Sequence, residues 1–315
     1  MPVDSRAGGT LLRGMKDITL YSPAVQMLTL VKYGQVTPRM YEALIARFGS
    51  IEKVLQADAG SLGAISGMTA KAANSVAKCR RSLPLAEEFL NMLEARDIRV
   101  SSQFDGDFPT LLFELNDPPP LLYVRGSLPE PARKSVALVG TSEASNEGIE
   151  MTTRLAKTFA ENRVQVISTL RGGIGDAAHL GCRAVEGHSF AVLEGGFDAV
   201  LDEENMPVAI DIVHHGGVIS EYQPDQAVSE TGLVESNRLI VGLSQAVVVT
   251  EFYGNSIRTL DLLKFCSQIG KLVFVMIDPE HGAFSDEKAL GLALEYGAIP
   301  LKGYDKVDDI IKSLV

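Results

Sequence analysis

The run Val136-Ala-Leu-Val139-Gly140-Thr-Ser-Glu-Ala-Ser145 decides the fold. Its apolar part is too short for a helix and reads as a strand buried on both faces. A turn of small polar residues follows, then an amphipathic helix over 147–162. The same unit recurs downstream. Val164–Ile167 is a strand and Asp176–Val185 a helix; Ser189–Leu193 and Val218–Glu221 are strands. Leu233–Leu243 is a helix, Ala246–Thr250 a strand and Ile257–Ile269 a helix. Leu272–Ile277 is the last strong strand, and helices over Ala289–Tyr296 and Val307–Leu314 close the chain. Near-continuous Val/Ile/Leu strands separated by helices mean a sheet covered on both faces. The fold class is therefore α/β: an extended Rossmann-like, doubly wound, mostly parallel sheet over 135–315.

Upstream the pattern is different. Residues 1–20 carry Gly8-Gly9 and little periodicity, and are expected to form a flexible arm. Residues 21–84 read as a small helical domain of helix-hairpin-helix or SAM-like type. Thr37-Pro38 is a helix start, with Thr as N-cap and Pro in the first turn. A turn at Gly67 separates two short helices, and Lys71, Lys78, Arg80 and Arg81 follow it. Two readings stand for this hairpin. Its backbone N–H groups hold a phosphate, with Gly67 and Lys71 as contacts, or it simply packs on itself. Residues 85–134 are a connecting segment. It holds a helix over Leu85–Asp97, a strand over Ile98–Val100, a rigid stop at Asp117-Pro-Pro-Pro120 and a strand over Leu121–Gly126.

Composition narrows the function classes. At 315 residues, 46% of them hydrophobic, the chain suits about two globular domains. No apolar stretch approaches the roughly 20 residues of a membrane span. Cys79, Cys182 and Cys266 lie far apart, so neither a disulfide framework nor a zinc site is expected. The start MPVDSRAGGT lacks a signal-peptide pattern, and a cytoplasmic protein is expected. The net charge of −11 argues against binding nucleic acid over the whole surface. It is unevenly placed. Up to Lys134 there are 16 basic and 14 acidic residues; from Ser135 there are 13 and 26, so the sheet domain holds all the acidity.

Ligands of doubly wound sheets sit beyond the carboxyl ends of the strands. Three turns there offer backbone N–H groups and hydroxyls to an anion: Gly140-Thr141-Ser142, Ser168-Thr-Leu-Arg171-Gly172-Gly173, and Glu194-Gly195-Gly196. The alternative is that these glycines only make tight turns. The glycine offsets do not match G-x-G-x-x-G, so no nicotinamide cofactor is expected. His179, three residues past Asp176, is a hydrogen-bonding post or a ligand contact, and no metal role is expected. His214-His215 reads as loop. Asn237-Arg238 reads either as a charged fork opening an apolar helix near the sheet's carboxyl edge or as a surface salt bridge. Glu251 ends a strand, where it pairs with Arg238 or meets a ligand hydroxyl. Arg258 begins the next helix as another anion contact.

These residues resemble the DNA-processing protein A (DprA/Smf) family. In the first half the likeness rests on the helical hairpin, Phe104-Asp-Gly-Asp-Phe-Pro-Thr-Leu-Leu and Asp117-Pro-Pro-Pro-Leu-Leu-Tyr-Val-Arg-Gly126. In the sheet domain it rests on Val136–Gly140, Gly173-Ile174 with Ala177-Ala178-His179-Leu-Gly181, and Ala191-Val-Leu193 with Gly196. Gly217-Val-Ile-Ser-Glu221-Tyr, Asn237-Arg-Leu-Ile-Val-Gly-Leu-Ser244 and Ala246-Val-Val-Val-Thr-Glu251 complete it. The resemblance implies single-stranded DNA binding in a basic pocket of the Rossmann domain, homodimerisation through that domain, and loading of a RecA-type recombinase in natural transformation. It implies no catalysis, cofactor or metal. The family often carries a C-terminal winged-helix domain, and none is expected after the closing helix.

The chain departs from the family pattern at the pocket. Ser142 stands where the first turn usually has arginine. Gly172 and Gly175 replace the arginine and aspartate of the second turn, with Arg171 one place early. Ser236 replaces an arginine, and the turn after Glu251 reads Asn255-Ser256-Ile257-Arg258. Arg238 is retained. Fewer phosphate contacts mean weaker binding. Three functions therefore compete: a DNA-binding protein with a weakened pocket, a nucleotide-sensing Rossmann module or subunit of a defence or regulatory complex, and a nucleotide hydrolase. The last lacks the Pro-Gly-Gly-x-Gly-Thr segment that such enzymes carry.

Overall fold

A computed structural model describes residues 17–203, 205–254, 256–278, 282–283, 287–303 and 307–314. Most of the expected N-terminal arm (1–16) and Asn255 lie outside the described residues. The chain divides into two compact units, one of residues up to 96 with 102–104, the other of 97–101 and 105 onward.

The first unit is helical because its sequence punctuates helices repeatedly. Ser22, Thr37, Ser50, Asp58 and Thr69 each cap a helix start through their side chains. The helices run Pro23–Leu28, Pro38–Phe48, Ile51–Gln56, Ala59–Gly63, Ala70–Cys79 and Leu83–Glu94. Their apolar stripes close over Leu28, Leu44, Val54, Leu62, Val76 and Leu93, all fully buried. Each contributes about 1.5–3 kcal/mol by leaving water. Residues 18–20, expected in the arm, instead form a short turn. Ile18 is buried there, and its carbonyl accepts from Gln26 Nε2 at 3.2 Å.

The second unit carries the sheet. Its strands are β1 (Arg99–Ser102), β2 (Leu121–Gly126), β3 (Ser135–Val139), β4 (Gln165–Thr169), β5 (Ser189–Val192), β6 (Gly217–Ser220), β7 (Ala246–Val249), β8 (Leu272–Asp278), β9 (Gly282–Ala283) and β10 (Ile299–Lys302). The order is β1-β2-β6-β5-β4-β3-β7-β8-β10, with β9 paired to β8. The pairs from β6 through β10 are parallel; β2 runs antiparallel to β6 and β9 to β8. The doubly wound, mostly parallel α/β sheet expected from the sequence is the fold observed.

Alternation along the strands builds two cores. Val136 and Leu138 join one cluster with Leu155, Phe159, Ala178 and Cys182. Ala137 and Val139 join the other with Leu239, Ile240, Leu262 and Leu263. The helix after β3 (Asn146–Glu161) thus covers one face, and the helix after β7 (Ile257–Ile269) covers the opposite face. Because β3 and β7 are neighbours, their carboxyl ends part at a topological switch point, which leaves a crevice there.

Three local expectations change. The helix after β4 starts at Gly173 rather than Asp176, within the glycine run itself. His214 and His215 end a helix, Met206–His215, started by Pro207 in its first turn, so they are not loop residues. Asn237 and Arg238 do not open their helix. It runs Glu230–Gly242 from a Ser229 cap and places them two turns inside.

Candidate nucleic-acid interface at the switch point

The carboxyl edge of the sheet is built by three turns, several of whose backbone donors are engaged within the fold. After β3, the Thr141 N–H donates to the Glu251 carbonyl at 2.8 Å. The Ser145 N–H and hydroxyl donate to the Glu251 carboxylate at 3.1 and 2.9 Å, and the Tyr253 hydroxyl adds a bond of 2.8 Å. A Cβ at Gly148 would stand 1.8 Å from that carboxylate, so only glycine fits there. The anion at the start of the helix Asn146–Glu161 is therefore the chain's own Glu251, as the helix dipole favours. Glu251 neither pairs with Arg238 nor reaches an open ligand position; its lone pairs are taken up by Ser145 and Tyr253.

The turn after β4 is tied in the same way. Gly172 and Gly173 have φ of 73° and 52°, and a Cβ at Gly173 would lie 2.5 Å from the Thr141 and Ser142 carbonyls. The Gly172 N–H donates to Asp176 Oδ1 at 3.0 Å, and the Ile174 N–H to the Thr141 carbonyl at 3.0 Å. Ser168 does not face a ligand. It is fully buried and donates to the Leu138 carbonyl on β3 at 2.6 Å. His179 is the post rather than a crevice contact: it is 2% exposed, with Nε2 3.0 Å from the Thr169 carbonyl. Burial pushes its pKa down to about 4. After β5, the Gly196 N–H donates to the Gln226 carbonyl at 2.8 Å, and so is engaged within the fold.

Side chains from both halves of the sheet converge on the crevice between these turns. The crevice has a volume of about 210 Å³. Gly140, Thr141, Ser142, Arg171 and Gly172 come to it from the first two turns, and Asn237 and Arg258 from the helices over the other face. Seven of the expected contacts thus converge. Arg258 Nη1 meets the Glu194 carboxylate, its Nη2 lies 3.4 Å from Ser236 Oγ, and Arg171 Nε lies 3.9 Å from the same carboxylate. Asn237 Nδ2 donates to the Arg258 carbonyl at 3.0 Å, which fixes the amide's orientation. That leaves Asn237 Oδ1 buried and without a hydrogen bond among the described residues. Two guanidinium groups against one carboxylate leave a single surplus positive charge. An adjoining cleft of about 530 Å³ shares Ser142 and Arg171 but adds Asp176 and Asp202 to Glu194. Arg171 thus stands between a crevice whose charged lining is basic and a cleft whose charged lining is mostly acidic.

Glu194, quoted from the sequence only as the start of a glycine turn, is the carboxylate that both crevice arginines meet. It ends β5 much as Glu251 ends β7, and a carboxylate at a strand end in a glycine turn was its only local signal.

Arg238 lies outside the crevice. Its guanidinium donates to the Asp117 carbonyl at 2.6 Å, contacts the Glu221 carboxylate and lies 3.6 Å from Asp117 Oδ1. It clamps the Asp117-Pro-Pro-Pro120 stop to β6. Burial pushes the Glu221 carboxyl up to about 7, against the downward pull of Arg238. Gly67 and Lys71 belong to the helical unit, where Thr69 Oγ1 already caps the helix start by accepting from the Ala72 N–H at 3.1 Å.

Comparison with known proteins fits this architecture. The family described as DNA recombination-mediator protein A matches residues 99–312. Protein Smf of Synechocystis is 28% identical over 260 residues, 79% of this chain and 65% of that protein, so the chain spans just under two thirds of its length. The X-ray structure of DNA processing protein A from Streptococcus pneumoniae superposes with a TM-score of 0.72 at 20% identity, covering 94% of this chain and 99% of that one. A structure of the Helicobacter pylori counterpart, reported for its single-stranded DNA binding mode, gives 0.58 at 19% identity over 69% of this chain and 97% of that one. Among the described residues, no helix is long and apolar enough to cross a membrane.

Proposed function

The chain belongs to the DNA recombination-mediator protein A family, and from that premise we propose that it binds single-stranded DNA in the switch-point crevice, through Arg171 and Arg258. The observation that carries this reading is their convergence, with Thr141, Ser142 and Asn237, on the one crevice where the strand order reverses. Arginine forks match phosphate oxygens, and the hydroxyls add neutral donors. Glu194 competes with phosphate for both guanidinium groups, so affinity is lower than an uncompensated arginine pair would give. The DNA-processing role includes a RecA-type recombinase as protein partner and a homodimer formed through the sheet unit. The Helicobacter pylori relative's reported DNA binding supports the choice of ligand.

The test is fluorescence anisotropy of labelled oligo-dT at several salt concentrations. Two phosphate contacts give a slope of log K against log salt of about −1.4. One observation favours a second reading, a mononucleotide ligand: the cleft adjoining the crevice is lined by Asp176, Glu194 and Asp202, which repel further phosphates. Failure to bind oligo-dT, together with saturable binding of a mononucleotide, would select that reading instead.

A further inference from the structure

We propose that Tyr253 and Ile257 form a platform on which a nucleobase stacks beside the phosphate held at Arg258, so that the crevice selects a strand carrying bases over a bare phosphodiester chain. The inference rests on the DNA-binding reading above and adds a base contact to it. Both side chains stand on the turn between β7 and the helix Ile257–Ile269 or at its end. They are 39% and 77% exposed, whereas Phe252 beside them is fully buried. Ile257 lies between Ser256 and Arg258, both of which line the crevice. Tyr253 is drawn to the same wall by the Ser256 N–H, which donates to its carbonyl at 2.9 Å. A hydrogen-bonded turn of this span keeps its end Cα atoms within about 7 Å of each other.

The turn is fixed from both ends. The Glu251 carbonyl accepts from the Thr141 N–H at 2.8 Å, and Ser256 Oγ caps the helix by accepting from the Thr259 N–H at 3.4 Å. The Tyr253 hydroxyl donates to Glu251 Oε1 at 2.8 Å, which ties the polar end of the side chain into the fold. What the side chain then offers a ligand is ring surface rather than a hydrogen bond. Every base has a π-face, and sites for single strands join cationic residues to aromatic ones for that reason. A turn already held in place keeps the ordering cost of such a contact low. Stacking does not read a base's hydrogen-bonding edge, so the platform tolerates any sequence and favours the larger purines.

Anisotropy on the full chain tests it with oligo-dA and an abasic oligonucleotide of the same length, which keeps the phosphates and lacks the bases. The wild-type chain should bind oligo-dA about tenfold more tightly, with the same salt slope for both. Tyr253→Ala should remove most of that difference, Ile257→Ser should weaken oligo-dA binding about threefold, and Tyr253→Phe, which keeps the ring, should bind as the wild-type chain does. The chain contains no tryptophan, so Tyr253→Trp places a single fluorophore at the platform. Oligo-dA should quench it and the abasic oligomer should not. Equal binding of the two oligomers by the wild-type chain, which needs no variant to fold, would overturn the platform. So would a loss in Tyr253→Phe as large as in Tyr253→Ala, or equal quenching by both oligomers. Abasic binding that is still weakened by Arg258→Ala would then leave the phosphate reading standing. Binding of neither oligomer would overturn that reading and the platform with it.

Discussion

Arg238 and Arg258 sit on consecutive helices over the same sheet face and do opposite work. Arg238 is 15% exposed and is held by the Asp117 carbonyl, the Asp117 carboxylate and Glu221. Arg258 is 25% exposed, meets the single carboxylate of Glu194 and opens onto the crevice. Residue type is the same in both places. What differs is the number of acceptors the fold has already supplied. A guanidinium with its donors satisfied is a clamp, whereas one sharing a single carboxylate with Arg171 still has donors for a phosphate.

The sharpest way to break this contrast is Arg238→Ala. Removing the guanidinium strands the partly buried Asp117 carbonyl and the Glu221 carboxyl without their charged donor, at a cost of about 1.5–3 kcal/mol. Urea denaturation should show that loss, while the folded fraction binds oligo-dT as the wild-type chain does. A large loss of DNA affinity with little loss of stability would reverse the assignment of the two arginines.

The clamp also has a pH signature. Glu221 titrates near 7 in the fold and near the ordinary 4.5 when unfolded. Between those values the folded chain holds the extra proton. Its contribution is therefore fully present below about 4.5 and is lost as pH rises through 7, with a slope of at most about 1.4 kcal/mol per pH unit. His179 acts in the opposite sense. Its lowered pKa costs stability as pH falls from 6.5 towards 4. Comparing the wild-type chain with Glu221→Gln across pH 5 to 8 cancels the histidine and isolates the glutamate. An unchanged slope would show that Glu221 stays ionised throughout.

On the other side of the contrast, Arg258→Ala should weaken oligo-dT binding about tenfold. It should also make the salt slope shallower by about 0.7, as expected when one fewer phosphate of a single strand is neutralised. An equal loss of affinity at every salt concentration would point to a structural role.

The sequence made this contrast only half legible. The strands were readable because a doubly covered sheet demands Val/Ile/Leu runs, and Val136–Val139 could be little else. The edge strand Ile299–Lys302 was not, because it is mostly exposed and carries Pro300, which only an edge tolerates. The glycine turns were readable as places of close approach, but what approaches them was not. It is Glu251 in one turn and the Thr141 and Ser142 carbonyls in the next, and Glu251 reaches Ser145 across 106 residues. Arg238 looked like the surviving cation because its acceptors lie in Asp117, 121 residues earlier, and in Glu221, and no local pattern announces such pairings.

The smallest effect is the most informative about the crevice. Glu194 is 2% exposed, so its carboxylate cannot swing away from the two guanidinium groups without disrupting the turn after β5. A phosphate arriving at Arg258 therefore meets a cation already shared with an internal anion. Glu194→Gln keeps the size and the hydrogen-bonding oxygen but removes the charge, raising the local surplus from one positive charge to two. Oligo-dT affinity should rise about threefold at low salt, and the gain should shrink as salt rises, since screening acts on exposed charges first. The number of phosphates engaged would be unchanged if Glu194 only attenuates Arg171 and Arg258. A salt slope steeper by about 0.7 would instead mean that Glu194 holds one arginine out of use until it is neutralised.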